Sequence, residues 1–337
     1  MAVHVPVSSS ELATLWIVYQ KKTMMLRVTE HFLTHVKDPE ALEILQTFYD
    51  KESEFVTEFA NTFRQEKAAV PVGFTENDVI LQAPPLFDDV YSIMYLRTMM
   101  KIASGIHALH LGMSYRKDLM DLYRRSSSFA EEYSEKTTQF LLEKGVLPKS
   151  PAVNMPEEAV FAKQKDYRSG LAVTGHKRSL NTVEVAYIYQ GIESNVTGMK
   201  LMTGFAQVAK EEQVQKYFYR GKELSKKIIS KFSDVLLESD VNVPMTSAGL
   251  VTDSTKAPFS DKLMMYNTSL LTSFGLGSNM IGTSFSLRKD LPLKMAMIAK
   301  DVFNFANDGG DLMIKYGWTE EPPQMEDRTQ LSKGSNN

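Results

Sequence analysis

The sequence predicts an all-α protein of two tandem antiparallel four-helix bundles related by internal duplication. Three observations predict it. Sliding the chain on itself by 172 or 173 positions matches feature after feature. Apolar residues recur at helical spacing in four segments of each copy, and no run alternates apolar and polar residues as a strand would. The length agrees, since 337 residues at roughly 100–200 per domain make about two domains.

The matches run in order along both halves. Ser8 and Glu11 fall on Asn181 and Glu184, Phe32 on Phe205, and Pro71 on Pro244. Phe87 and Asp89 fall on Phe259 and Asp261, Arg116-Lys117-Asp118 on Arg288-Lys289-Asp290, and Gly145 on Gly317. The expected division is 1–148 for the first bundle, 149–179 for a linker, 180–328 for the second bundle and 329–337 for a disordered tail. The linker carries Pro151, Pro156 and breaks at Gly170 and Gly175.

The first helix of each copy opens on a capping box, Ser8-x-x-Glu11 and Asn181-x-x-Glu184, in which the cap side chain accepts a free first-turn N–H and the Glu reaches back. Leu12, Leu15, Tyr19, Leu26 and Leu33 form its stripe, repeated by Val185, Ile188, Ile192 and Met199. Asp38-Pro39-Glu40 opens the second helix with a good N-cap, a Pro whose missing N–H costs nothing there, and a Glu at the positive dipole end. Leu42, Leu45, Tyr49, Val56, Phe59 and Phe63 follow on one face. A loop with Pro71, Gly73, Pro84 and Pro85, matched by one with Pro244, Gly249 and Pro258, leads to the third helix. This longest loop is either a crossover or a lid over one bundle end. The third helix shows Tyr95, Met99, Ile102, Ile106, Leu109 and Met113. Asp118 and Asp290 are the expected N-caps of the fourth helices, with Pro292 tolerated in the first turn.

Composition narrows the function. Lys plus Arg number 38 against 41 Asp plus Glu, a formal charge of −3, which lacks the basic footprint of a nucleic-acid binder or a polybasic membrane patch. Cys is absent, which removes disulfides, thiolate metal sites, Fe–S clusters and Cys nucleophiles. Met1 to Ser10 has neither a basic n-region nor a long apolar core, so no secretory signal is expected. Leu263 to Leu287 is free of charge and long enough to span a bilayer, yet it holds many Ser, Thr and Asn. A helix enclosed by protein on most sides is expected instead.

Four-helix bundles often hold two metals between core Glu residues and Glu-x-x-His motifs. None of the six histidines, His4, His31, His35, His107, His110 and His176, follows a Glu by three positions. Glu52 interrupts the apolar seam of the second helix, but its counterpart is Ser225. His31 with His35 and His107 with His110 share helix faces and, in an up-down bundle, would lie towards the same end. They fall with a second apolar stripe, Ile17, Met24 and Val28 on the first helix and Ile93, Met100 and Leu111 on the third. Helices apolar on two faces are buried on two faces, so this stripe is expected to pack on the other copy or another subunit. Gly275-Leu276-Gly277 lies in a helical pattern and is read as allowing close helix approach, not as a phosphate loop. No nucleophile elbow or Ser-His-Asp set can be nominated. Lys21-Lys22 and Arg124-Arg125 read as solvated charge pairs, and Met24-Met25, Met99-Met100 and Met264-Met265 as core filling.

Several strings carry a family resemblance: Pro71-Val72-Gly73-Phe74-Thr75, Asp78-Val79, Ala83-Pro84-Pro85-Leu86-Phe87-x-Asp89, Gly204-Phe205-Ala206-Gln207-Val208, Ala257-Pro258-Phe259-Ser260-Asp261-Lys262-Leu263-Met264-Met265, and Gly317-Trp318-x-Glu320-x-Pro322-Pro323. From about Ser9 to Arg328 the chain resembles a duplicated four-helix-bundle family of unknown function from endospore-forming bacteria. The resemblance implies ferritin-like bundles. Through members labelled by similarity to spore coat protein F it also implies a spore setting. It supplies no catalytic residues, and where related sequences often place a His in the middle of the second helix this chain has Glu54.

The leading reading is a non-enzymatic structural or interaction protein of the cytoplasm, associated with the spore. Its partners are proteins or further copies engaging the second apolar faces, with no nucleic acid and no membrane span. No catalytic residue, metal ligand or cofactor is nominated. The alternatives are a ferritin-like metal-binding protein or oxidase, motivated by Glu52 and the His pairs, and a small-ligand carrier using a cleft between the bundles or beneath the Pro-rich loops.

Overall fold

The structure, a computed structural model, describes residues 5–163, 165–170, 177–244 and 249–334; His4, Gly175 and His176 lie outside them. The first half contains α1 (Ser9–Leu33), α2 (Pro39–Gln65), α3 (Asp89–Gly112) and α4 (Lys117–Glu143). The second contains α5 (Thr182–Val208), α6 (Glu212–Leu237), α7 (Asp261–Phe285) and α8 (Asp290–Lys315). A short α9 (Arg328–Gly334), exposed over 328–332, occupies most of the segment read as a disordered tail. No strand occurs among the described residues, only two isolated bridges. The chain is all-α, in two similar halves.

The residues that repeat in sequence hold the ends of the helices. Both capping boxes form, at Ser8 with Glu11 and at Asn181 with Glu184. Buried Glu11 also accepts the N–H groups of Tyr115 and Arg116 at 2.8 and 2.9 Å, and Glu184 those of Leu287 and Arg288 at 3.2 and 3.0 Å. Asp89 accepts from Lys37 and Asp38, as Asp261 does from Lys210 and Glu211. Asp118 and Asp290 are not the N-caps. Arg116 and Lys289 stand there, and the two aspartates sit in the first turn paired with Arg116 and Arg288.

These clamps fix the topology. The start of α1 lies beside the start of α4, and the start of α2 beside the start of α3. Thus α2 and α3 run parallel, and the chain between them must travel back the length of a 27-residue helix, about 40 Å at 1.5 Å per residue. The loop is a crossover. Consequently α1 and α3 are antiparallel, and the two His pairs lie at opposite ends of the bundle, not at one end.

The two crossover loops then pair with each other. Val79 bridges Phe259, and Phe87 bridges Val251. The Ile80 N–H donates to the Pro258 carbonyl at 2.7 Å, and the Thr252 N–H to the Leu86 carbonyl at 3.0 Å. The Ser260 N–H donates to Asp78 and the Asp88 N–H to Leu250. Adding 172 to each first-half number turns every bond into its partner, the signature of a two-fold, self-complementary interface within one chain. Tyr95 and Asn267, themselves 172 apart, meet on that axis with the amide donating to the phenol at 2.7 Å.

The second apolar stripe is mostly buried, and the helices that carry it reach the other half. Met24, Val28, Ile93 and Met100 are buried, although Ile17 stays exposed, and the Tyr91 hydroxyl donates to the Thr197 carbonyl across the interface. All six paired methionines are buried core. The charge-free run is only half enclosed. Leu263, Met264, Met265, Asn267 and Thr268 are buried, but Met280, Ile281 and Phe285 are exposed. No helix among the described residues is long and apolar enough to cross a membrane. A side chain on Gly275 or Gly277 would meet nothing within 4 Å, so these glycines do not mark a close helix approach.

Candidate functional site

The core of the first bundle holds the most unusual chemistry. Lys22 Nζ lies 2.8 Å from Glu52 Oε2, both side chains only 1% exposed. Glu52 is the carboxylate that breaks the seam of α2, and its partner comes from the middle of α1. The ammonium also lies 4.5 Å from the centre of the Phe55 ring, with Phe129 and Phe59 just beyond, so ring faces complete a shell that one carboxylate leaves open.

Lys21 is buried as deeply, and no hydrogen bond to it exists among the described residues. Burial pushes its ammonium down to about 7, with Glu52 opposing and Lys22 reinforcing the fall. The sequence suggested a solvated pair, but neither Lys21 nor Lys22 is solvated. The reason is that α1 touches α2, α3 and the other half, so it has almost no open face. Arg124 and Arg125 do remain exposed, paired with Asp121 and Glu58.

Next to them stand His107 and His110. Burial and the nearby Lys21 charge hold His107 well below the ordinary imidazole value and bring His110 down to about 4. Nδ1 of each lacks a partner, as does the Ser126 hydroxyl. Their rings face Tyr123, 5.6 Å from His110 and 6.3 Å from His107, and Tyr123 donates to Thr14 at 2.8 Å. These two histidines therefore sit in the bundle interior and not at the interface. The stripe drawn through Leu109 and Met113 was the wrong face. Both are exposed, and the inward row runs Met99, Ala103, His107, His110.

His31 and His35 do lie at the interface. Their Nε2 atoms are 3.2 and 2.8 Å from the Ala83 carbonyl oxygen. A carbonyl only accepts, so each imidazole donates there. The His31 ring packs 5.3 Å from Phe259 of the second half, and burial lowers its pKa to about 4. Glu54 is exposed and takes no part.

Chemically this is a set of bases weakened by burial beside one compensated ion pair. With Lys21, Lys22 and Glu52 each 1% exposed, a substrate could reach them only if the bundle opened. No group of three or more His, Cys, Asp or Glu side chains converges as a metal site among the described residues. None of the cluster recurs in the second half, where Ser194, Asn195, Ser225 and Asn279 hold the places of Lys21, Lys22, Glu52 and His107.

The buried Lys21 charge opposes folding. Its folded value of about 7 lies below its ordinary 10.5, so stability should rise as pH climbs from 7 to 10.5 and stay depressed below 7. Lys21→Met is expected to stabilise the protein at pH 7 by on the order of 2 kcal/mol and to flatten that rise. Urea unfolding at pH 7 and pH 9.5 reads both effects; a loss of stability at pH 7 would contradict them.

Comparison with known proteins agrees with the two-copy organisation. The family profile described as "Protein of unknown function (DUF3231)" matches residues 2–158 and again 168–331. A crystal structure described as a "putative spore coat protein" from Bacillus halodurans C-125 is 16% identical, covering 44% of this chain and 98% of that one with a TM-score of 0.42. No curated protein matches.

Proposed function

The chain belongs to the DUF3231 family of proteins of unknown function, and from that premise we propose that it is a non-enzymatic structural and interaction protein. Two bundles, 1–148 and 180–328, joined by 149–179, form its body. The observation that carries the reading is the Lys22–Glu52 pair. An ammonium occupies the coordinating side of the only acid that breaks the α2 seam, so the carboxylate already has its cation. The polar residues common to both halves support it too, since they cap helices and join loops instead of meeting in a cleft. Exposed Met280, Ile281 and Phe285 on α7, with Met297 and Phe303 on α8, offer apolar surface to protein partners or further copies. The strings shared with proteins of endospore formers support synthesis in the cytoplasm and association with the spore.

Metal analysis of protein purified without a His tag tests the reading. Substoichiometric iron, manganese and zinc are expected. Stoichiometric metal that is lost in His110→Ala would overturn the proposal in favour of a ferritin-like metal protein. Fractionation of sporulating cells tests the setting: the chain should co-purify with spores, and confinement to the mother-cell cytosol would refute it.

A further inference from the structure

The second bundle is hollow where the first is filled. A cavity of about 90 Å³ lies between α5, α6, α7 and α8, reaching Thr98 and Ile102 of α3. At the ~30 Å³ that one water takes in the liquid, it has room for about three. It lies at the level that the charged cluster occupies in the first bundle. Ser194, Asn195, Ser225 and Asn279 line it, and they stand in the register of Lys21, Lys22, Glu52 and His107. Gly198, also in the lining, stands in the register of Met25. Five shortened side chains account for the space, and the helices have not closed over it. A Cβ built on Gly198 would find its nearest neighbour, Ser225 Oγ, 3.9 Å away, and one on Gly275 would meet nothing within 4 Å.

The lining specifies a ligand chemistry. None of its residues is ionisable, so a charged guest would be desolvated without a counter-charge. Most of the surface is apolar, with Leu271, Phe274, Val302 and Phe305 among its contributors. Hydrogen-bonding capacity is left over on three helices. The Ser225 hydroxyl and the Asn279 amide make no hydrogen bond among the described residues. Asn195 spends Nδ2 on the Gly191 carbonyl at 2.8 Å and keeps Oδ1 free. The lining is half-buried on three helices, at Asn195, Ser225, Phe274 and Asn279, so the cavity is not sealed from solvent.

We propose that this cavity is a binding site for a small uncharged molecule with an apolar body and one hydrogen-bonding end, the chemistry of a phenol or a short alcohol. Such a guest regains the dispersion contacts that an empty cavity forfeits and satisfies the polar groups of Asn195, Ser225 and Asn279. The site is separate from the first bundle's ion pair, and neither the structural role nor the metal test depends on it.

The test uses the full chain with phenol as probe, benzoate as the charged control and benzene as the apolar one, read by titration calorimetry and thermal unfolding. Phenol should bind saturably and raise the Tm, while benzoate should do neither. Gly198→Met, which places in the second bundle the residue the first already holds, should raise the Tm by itself and abolish the response to phenol. Ser225→Ala keeps the space and removes a hydroxyl, so phenol should weaken about fivefold while benzene is unchanged. This second variant keeps the proposal falsifiable if Gly198→Met fails to fold. No saturable phenol binding, a cavity that holds water only, or phenol binding that survives Gly198→Met would overturn the site. Phenol binding indifferent to Ser225→Ala would overturn its polar end.

Discussion

Glu52→Ala is expected to destabilise the protein by about 3–5 kcal/mol, the largest effect of any single substitution away from the aromatic core. The loss comes from what remains. Without the carboxylate, the Lys22 ammonium stays 1% exposed with ring faces around it and no anion. Its alternatives are to shed the proton or to drag water into a packed interior, and both are costly. The second arm of the experiment is more informative. Lys22→Met combined with Glu52→Leu removes both charges and leaves apolar groups of similar length. Exchanges of this kind are often neutral or stabilising, so the double variant should recover to within about 1 kcal/mol of the parent or exceed it. Urea unfolding at pH 7 measures all four corners of the cycle. A single-variant loss below about 1 kcal/mol would mean that the pair is hydrated in solution.

Acid should unfold the protein in a window set by its histidines. In the folded state His31 and His110 hold out against protonation until about 4, while the unfolded chain takes up the proton near the ordinary 6.5. The unfolded state therefore binds more protons across that interval. Stability falls as pH drops through 6.5 and levels off once pH is below 4. At 1.36 kcal/mol per unit each residue can contribute at most about 3 kcal/mol, less where solvent reaches the ring. His107, also held well below the ordinary value by burial, adds in the same direction. The two sites also predict different products. His110→Phe should flatten the pH dependence of overall unfolding. Protonating His31 places a charge against Phe259 at the seam between the halves, so size-exclusion at pH 4, where folded His31 takes up its proton, should show a more expanded chain than at pH 8. Identical elution at the two values would count against a pH-sensitive seam.

The parts legible in the sequence were those that repeat and act locally. Ser8 with Glu11 and Asn181 with Glu184 could be read as capping boxes because cap and partner lie three residues apart. Asp38-Pro39 could be read for the same reason. Asp118 and Asp290 misled by one or two positions, because an acid in the first turn looks like a cap when its Arg partner just upstream is read only as charge. The crossover was not legible, since a polar, Pro-rich loop carries no sign of direction; the long-range clamps at Glu11 and Asp89 supply it. The inward face of α3 failed for a different reason. That helix is apolar nearly all round, so a stripe through Leu109 and Met113 fitted as well as the true row through His107 and His110. Glu52 was visible as a break in the seam, but Lys22 was not visible as its answer, because the two are thirty positions apart and the burial of α1 depends on the other half of the chain.

The two-fold seam through Tyr95 and Asn267 also separates shape from content. In a homodimer, a substitution on one side of such an axis appears on the other, and both interiors must tolerate it together. Here the axis runs through one continuous chain, so the rule applies only to whatever the seam itself requires. The bridges of Val79 with Phe259 and of Phe87 with Val251 have stayed images of each other, while the cores behind them hold an ion pair on one side and empty space on the other. Each interior is free to take its own chemistry, provided the outer geometry still meets its image.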